Sequence, residues 1–471
     1  MMEIPCGMQE QFLEAKELIE SSNDIKIYTH TDCDGICSGA ILSIILDRLN
    51  KDYEIEFVNL DEIEDLDLDH KLTIFSDLGS GQGVDKNAKD GQKILILDHH
   101  PPLRDINYKN DKAYTYLEIN PMFYGIDGSY YVCGGGLCYF LAKTFGFKDL
   151  SWIGVLSAIG DMQNNKTGHF EGLNEIIQED AINEGLLKVT KNDLNIYGRS
   201  TRPLYVALSY FSDVKLPITN NQQEAKVVLE EFGVDEKHNR KTLSEVTEED
   251  KMQIKKFLSR MISKRVPPKY LKYVPKLIVG DAYTFLNEEE GSFLRDGSEF
   301  STAMNACGRN RKEAIGVDII KGDRLVALDA LEEVSKTHKY NLATSISKVA
   351  DNYHSEIIEL DNFQYFDCSD FDEDIASNII GTITGMVLGY CNWKKPILGF
   401  SKPKNNQIKV SLRCSKLLAY DGIHFGNMIR EIAKEVGGTG GGHAIACGAY
   451  IPNEKKSEFL DKFNRKLQGK I

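Results

Sequence analysis

Within the first 165 or so residues, short apolar runs stop abruptly on carboxylates or imidazoles. DIKIYTH ends at His30 and runs on into Asp32 and Asp34, and KLTIFSD ends at Asp77. QKILILD ends at Asp98, with His99, His100 and two strand-breaking prolines behind it. Between and after these runs, SGAILSIILDRLN (38–50), GGGLCYFLAKTFG (134–146) and SWIGVLSAIGD (151–161) read as helices, the last delivering Asp161. Strands alternating with helices predict an α/β fold built on a doubly wound, mostly parallel sheet. In such a sheet ligands bind beyond the carboxyl ends of the strands. The geometry therefore gathers these acids and histidines, far apart in sequence, along one edge.

Oxygen and imidazole donors without thiolates suit magnesium or manganese better than zinc. Two such ions about 4 Å apart activate a water and stabilise an in-line phosphoryl displacement, and one carboxylate commonly bridges them. Each motif also has an ordinary structural reading. HTDCDG can be a turn and helix cap, Asp77 a helix N-cap, and the two histidines satisfied structural groups. Their order, each at an expected sheet edge, is what favours a metal site.

With 471 residues the chain is expected to form roughly three units. The net charge of −15 argues against coating duplex DNA by bulk charge, but leaves room for a local basic groove. The acidic, amphipathic N-terminus does not read as a secretory signal, no apolar stretch suggests a membrane span, and the cytoplasm is the expected compartment. The ten cysteines include no CxxC pair and read as reduced thiols.

The acidic DEIEDLDLDH (61–70) reads as a solvated loop. QQEAKVVLEEFG and SEVTEEDKMQIKKFLSRMISKR read as charged amphipathic helices, and residues 327–353 as one long connector. A second α/β pattern follows from about residue 355: PILGFS and QIKVSLR as strands, GNMIREIAKEVG as a helix, and GGTGGGHAIACGAYI as a Gly-rich turn entering a strand. In SRMISKRVPPKYLKYVPK (259–276), basic residues interleave with Tyr270 and Tyr273, a pattern that suits single strands but equally a solvated helix face. Arg309 and Arg311 are further basic candidates.

HTDCDG, FSD, LDHHPP and SAIGD stand in the order and spacing of the DHH phosphoesterases, which the sequence resembles. VSLRCS and GGTGGGHAIACGA resemble the associated C-terminal domain of that family. EINPMFYGIDGSYYVCGGGLCYF, TRPLYVALSYFSD and FSTAMNACGR resemble archaeal RecJ-like nucleases, the group that includes GINS-associated nucleases. The resemblance implies a catalytic domain at 1–200, a mainly helical insertion at 201–325, a connector helix at 326–354 and a substrate-binding domain at 355–471, the last lying across a cleft. It implies two divalent cations, Mn2+ or Mg2+, held by Asp32, Asp34, Asp77, His99 and Asp161, with Asp77 bridging. His30 is kept as a ligand, although it stands two residues before the first aspartate rather than four as in family II inorganic pyrophosphatases. His100 matches the histidine that meets the scissile phosphate or leaving group, and Asp98 reads as the group orienting an imidazole. Arg413, Gly441, Gly442 and His443 are the expected phosphate-binding residues.

The activity so implied is a metal-dependent exonuclease for single-stranded DNA or RNA, in replication or repair, which a replisome partner such as GINS can accompany. Two alternatives stand beside it. One is a phosphodiesterase or phosphatase for short oligonucleotides or small nucleotides, whose members usually lack the helical insertion. The other is a replisome scaffold that has lost its ligands.

Overall fold

Five short apolar runs pair into one sheet: β1 (Ile25–Thr29), β2 (Tyr53–Phe57), β3 (Leu72–Ser76), β4 (Lys93–Leu97) and β5 (Thr115–Ile119). Their order is β2-β1-β3-β4-β5 and every pairing is parallel. This is the computed structural model of the chain, describing residues 2–60, 62–63, 66–109, 113–231, 233–234, 240–350, 356–369 and 373–471, with side chains of 373–378 excluded. The acidic 61–70 loop lies partly outside the described residues.

The period of two along the strands sorts the side chains to opposite faces. Ile74, Leu95 and Leu97 face a core shared with the helices α1 (Cys6–Glu20), α2 (Cys33–Arg48), α3 (Gly134–Thr144), α4 (Ser151–Gly160) and α5 (Leu173–Asn183). Phe75, Ile94 and Ile96 face a smaller cluster with Val84 and Tyr114. All five residues of β3 are buried, as expected of a strand covered on both faces. Each fully buried aliphatic side chain contributes roughly 1.5–3 kcal/mol.

The chain divides into two compact units, Met1–Asn192 with Gly280–Ser335, and Asp193–Val279 with Lys336–Ile471. This differs from a single insertion at 201–325. Helices at Leu204–Ser209, Gln222–Glu231 and Glu248–Ser263 bury Leu204, Leu229 and Phe257 in one core with Phe363, Phe425 and Phe459 of the C-terminal region. Residues 280–335 return to the first unit, where β7 (Val279–Phe285) pairs β6 (Leu187–Leu194) and the helix Gly297–Arg309 buries Phe300, Met304 and Cys307 against α2 and α4. An amphipathic face must find a partner, and charge patterning alone did not reveal which core each helix would join. The long helix spans Val326–Ala350, and residues 351–353 of its expected extent lie outside the described residues.

The second unit has a six-stranded mixed sheet of β8 (Ile358–Glu359), β9 (Gln364–Asp367), β10 (Ile397–Phe400), β11 (Gln407–Arg413), β12 (Thr439–Gly442) and β13 (Ala446–Pro452), ordered β12-β13-β11-β10-β9-β8. The glycines expected to form a turn are themselves the edge strand β12. All ten cysteines are free thiols. Among the described residues no helix is long and apolar enough to cross a membrane.

Candidate metal centre

Strand order reverses between β1 and β3, and such a switch point opens a crevice beyond the strand ends. His30 follows β1 and Asp77 follows β3; His30 Nδ1 lies 3.1 Å from Asp32 Oδ2 and 3.5 Å from Asp77 Oδ2. From beyond β4, His99 Nε2 approaches Asp77 Oδ1 at 3.3 Å and Asp34 Oδ2 at 3.6 Å, and Asp161 Oδ2 lies 3.9 Å from Nδ1. All six expected ligands thus meet in two groups that could each hold a cation, His30, Asp32 and Asp77, and Asp34, His99 and Asp161, and a third such group joins Asp77 and His99 to Asp98 and His100. Asp77 joins the groups, with one oxygen turned toward each histidine.

Local structure fixes these side chains. Asp32 caps α2 by accepting from Gly35 N at 3.1 Å. Asp34 accepts the amides of Gly134 and Gly135 at 2.8 and 2.7 Å, at the start of α3 where the helix dipole favours an anion, and also the Ser157 hydroxyl. Asp77 has φ 59°, a left-handed conformation, and Gly134 packs so close that a Cβ there would lie 2.7 Å from the Asp77 Cβ. Gln163 Nε2 donates to Asp161 Oδ2 and to the Gly128 carbonyl, both at 2.8 Å.

That same carbonyl accepts from His99 Nδ1 at 2.7 Å, which turns the other ring nitrogen, Nε2, toward two carboxylates. His99 Nε2 and Asp77 Oδ2 are buried and lack a hydrogen-bond partner. Burial, then Asp34 and Asp32, push the Asp77 carboxyl well above its ordinary range. Burial would depress the His99 imidazole, but Asp161, Asp77 and Asp34 outweigh it and hold it well above the usual value. Four carboxylates converging in a mostly buried cluster call for positive charge among them, and the O/N donor set with two imidazoles fits a hard or borderline divalent cation.

His100 differs from its neighbour. The ring centroids lie 4.2 Å apart at 52°, and the His100 side chain is 47 % exposed against 3 % for His99. Asp98 Oδ1 accepts from His100 Nδ1 at 2.8 Å and from the amides of His99 and His100, while Oδ2 accepts from Ser80 N. Burial opposes its ionisation, yet His100 and these amides hold the carboxyl well below the carboxylate range. Asn120 Nδ2 ties the His100 carbonyl at 2.8 Å to Ser80 Oγ at 2.9 Å.

Sequence reasoning missed Asn305. Its Oδ1 accepts the Cys33 amide at 3.1 Å, a donor left over at the start of α2, so the helix Gly297–Arg309 braces the loop carrying Asp32. Gly308 permits this approach: a Cβ there would lie 1.7 Å from the Thr31 carbonyl oxygen. Arg309 and Arg311 follow at once, with Arg311 left-handed at φ 54°. We expect Asn305→Ala to weaken manganese binding, measured calorimetrically, by roughly tenfold or more, as for other groups that orient ligands. Unchanged affinity would remove Asn305 from the support of the site.

In the second unit Arg413 closes β11 opposite Ala446, and His443 N donates to the Ala446 carbonyl at 2.9 Å, so both lie at one end of the sheet. Gly441 and Gly442 lie on the adjoining edge strand, with Arg430 close to Gly441, where a Cβ would meet its Nη2 at 3.1 Å. Arg413 donates to the Leu412 carbonyl at 2.8 Å and has no carboxylate partner among the described residues. Burial depresses its pKa.

The sequence matches the DHH family, N-terminal domain over residues 24–155, the DHH-CID domain over 196–274 and the DHHA1 domain over 361–469. The middle match falls within the chain segment that joins the second unit. An uncharacterized protein of Methanocaldococcus jannaschii, MJ0831, is 31 % identical over 446 residues, covering 93 % of this chain and 92 % of that one. CDC45 from Entamoeba histolytica has a similar fold, at a TM-score of 0.62 and 15 % identity, covering 98 % of this chain and 99 % of that one. RecJ from Thermus thermophilus, solved with Mn2+, gives 0.55 at 12 % identity, covering 99 % of this chain and 55 % of that one. The three domain matches stand in order along the chain, and the chain therefore belongs to the DHH family, with a fold shared with RecJ and CDC45.

Proposed function

We propose that the chain is an exonuclease that hydrolyses phosphodiester bonds of single-stranded DNA or RNA with two divalent cations, Mn2+ or Mg2+. The observation that carries this reading is the Asp77 carboxylate, with one oxygen toward each donor group, beside the partnerless Nε2 of His99. Bound cations would supply an activated water and neutralise charge developing on the phosphate. The chain's own residues do the rest. Gly128, Gln163 and Asn305 orient the ligands. Asp98 holds His100 by Nδ1, leaving Nε2 as the proton donor for the leaving oxygen. Arg413, Gly441, Gly442 and His443 hold the phosphates of the strand.

A scaffold that has lost its chemistry fits less well, because all six ligand positions carry donors. The long helical segment favours strands over small nucleotides. The test is to incubate 5′- and 3′-labelled single strands, a dinucleotide, a 3′-phosphorylated nucleotide and pyrophosphate with the protein, in manganese and in EDTA. Mononucleotide release from strands, abolished by EDTA, is the expected result. Hydrolysis of the small substrates alone would replace the reading with the phosphatase one.

Arg413 offers a separate check. A mostly enclosed guanidinium without a carboxylate invites an anion, and a charge-assisted bond to phosphate is worth about 1.5–3 kcal/mol. Arg413→Ala is expected to weaken use of single strands roughly ten- to a hundredfold, with manganese binding unchanged. Arg413→Lys should rescue only in part, since an ammonium lacks the planar fork. Wild-type degradation by Arg413→Ala would remove it from the site.

A further inference from the structure

In a chain of net charge −15, residues 251–280 hold nine Lys or Arg and no Asp or Glu. The helix Glu248–Ser263 buries Ile254, Phe257, Leu258 and Ile262 and turns Lys256 and Arg260 to solvent, with Lys264 one turn further along the same exposed row. The chain continues through the 3-10 turn Pro268–Tyr273 and the short helix Val274–Ile278, where Lys272 and Lys276 are exposed four residues apart. Lys251 and Lys269 are ion-paired, with Asp193 and Glu248 and with Asp421. Arg260, Lys264, Arg265, Lys272 and Lys276 have no carboxylate within 4 Å among the described residues.

Rings hold part of this row in place. Lys272 Nζ lies 4.7 Å from the Tyr273 ring centre and Lys276 Nζ 5.6 Å from that of Tyr420. The two half-buried rings sit 5.4 Å apart. A cation on a ring keeps its N–H donors for a further acceptor, and the ring limits its wandering. The result is a run of exposed positive charge, two members of which are held on rings with aromatic surface between them, in a protein whose remaining charge repels polyanions.

We propose that the exposed row Arg260–Lys264–Arg265–Lys272–Lys276 is a second nucleic-acid contact, which takes the phosphate backbone of a single strand outside the metal centre. The proposal deepens the strand-hydrolysis reading and rests on it. Phosphates favour this row over an acidic protein surface for two reasons. Cations repeat along it at one sign, as a backbone of repeating charge requires, and partly exposed rings between ammonium groups suit bases adjoining phosphates.

The test measures binding of a fluorescent oligothymidylate by anisotropy in EDTA, where no hydrolysis occurs, across a series of salt concentrations. Substituting Arg260→Gln, Lys264→Gln, Lys272→Gln and Lys276→Gln together is expected to weaken binding about tenfold or more near 0.1 M salt. The salt dependence should become shallower by roughly 2–3 in log–log slope, at about 0.7 for each phosphate of a single strand that is no longer neutralised. Each pair is also removed alone, so a variant that fails to fold leaves the other pair to decide. Lys272→Arg with Lys276→Arg should retain binding. Wild-type affinity and slope in the Gln variants overturn the proposal, as does equal competition by polyglutamate of matched charge, which would assign the row to an acidic protein. Cleavage of the same oligonucleotide in manganese is followed in parallel with the wild-type protein. Cleavage with no loss of binding in the variants overturns this second site and leaves the nuclease reading standing. Binding lost in the variants while the wild type cleaves nothing upholds the second site and overturns the nuclease.

Discussion

Asp77→Asn is expected to lower turnover at saturating manganese on the order of 10³-fold or more, because metal stabilisation of a phosphoryl transition state is worth several kcal/mol and each 1.36 kcal/mol is a decade. Asparagine is the informative replacement. Asp77 has φ 59°, which asparagine tolerates and alanine tolerates less well, so loss of activity is separated from loss of fold. The melting temperature supplies a second readout. The folded-state pKa of Asp77 is raised by burial, Asp34 and Asp32, so between its unfolded and folded values the native state binds more protons than the unfolded one. Stability of the metal-free protein therefore falls as pH rises through the folded value. Removing that charge should leave the variant melting at or above the wild type in EDTA at neutral pH. Manganese should then raise the melting temperature of the wild type far more than that of the variant. Turnover within tenfold of wild type would end the bridging assignment.

His100→Ala and His99→Ala should fail differently. His100 is half-exposed and held by Asp98, whereas His99 is buried and held by the Gly128 carbonyl with Nε2 among the ligands. The first change should cut turnover on the order of 10²-fold or more, the range of general acid catalysis, with manganese affinity nearly unchanged. The second should lower manganese affinity first, with turnover partly recovered at high metal concentration. Calorimetry and single-turnover cleavage on both variants decide the matter, and equal losses of metal affinity would refute the division.

The candidate ligands were legible because β1, β3 and β4 are short and apolar and each is followed at once by an acid or a histidine, a pattern that local sequence displays in full. β5 was not read as a strand: TYLEI is an edge run with a buried glutamate, Glu118, that interrupts its apolar signal. α2 begins at Cys33, earlier than its apolar period suggests, because Asp32 caps it while facing the metal site. The residues that orient the ligands, Ser157, Gln163 and Asn305, carry no period and no charge, and only packing brings them to their partners. The same holds for the division of residues 201–325, since an amphipathic helix announces that it will be buried but not against which core.

The brace between Asn305 and the Cys33 amide has a consequence for the order of events as the chain is made. The two residues are 272 positions apart, with part of the other unit's core encoded between them. At a synthesis rate of about 5–20 residues per second, roughly 14–54 s separate the emergence of the metal loop from that of its brace. Asp161, the last of the six candidate ligands, precedes Asn305 by 144 positions, so for roughly 7–29 s the set can be complete while the loop that carries Asp32 lacks its outside support. A cluster so built receives its brace only after residues 193–279, which belong to the other unit, have already been synthesised.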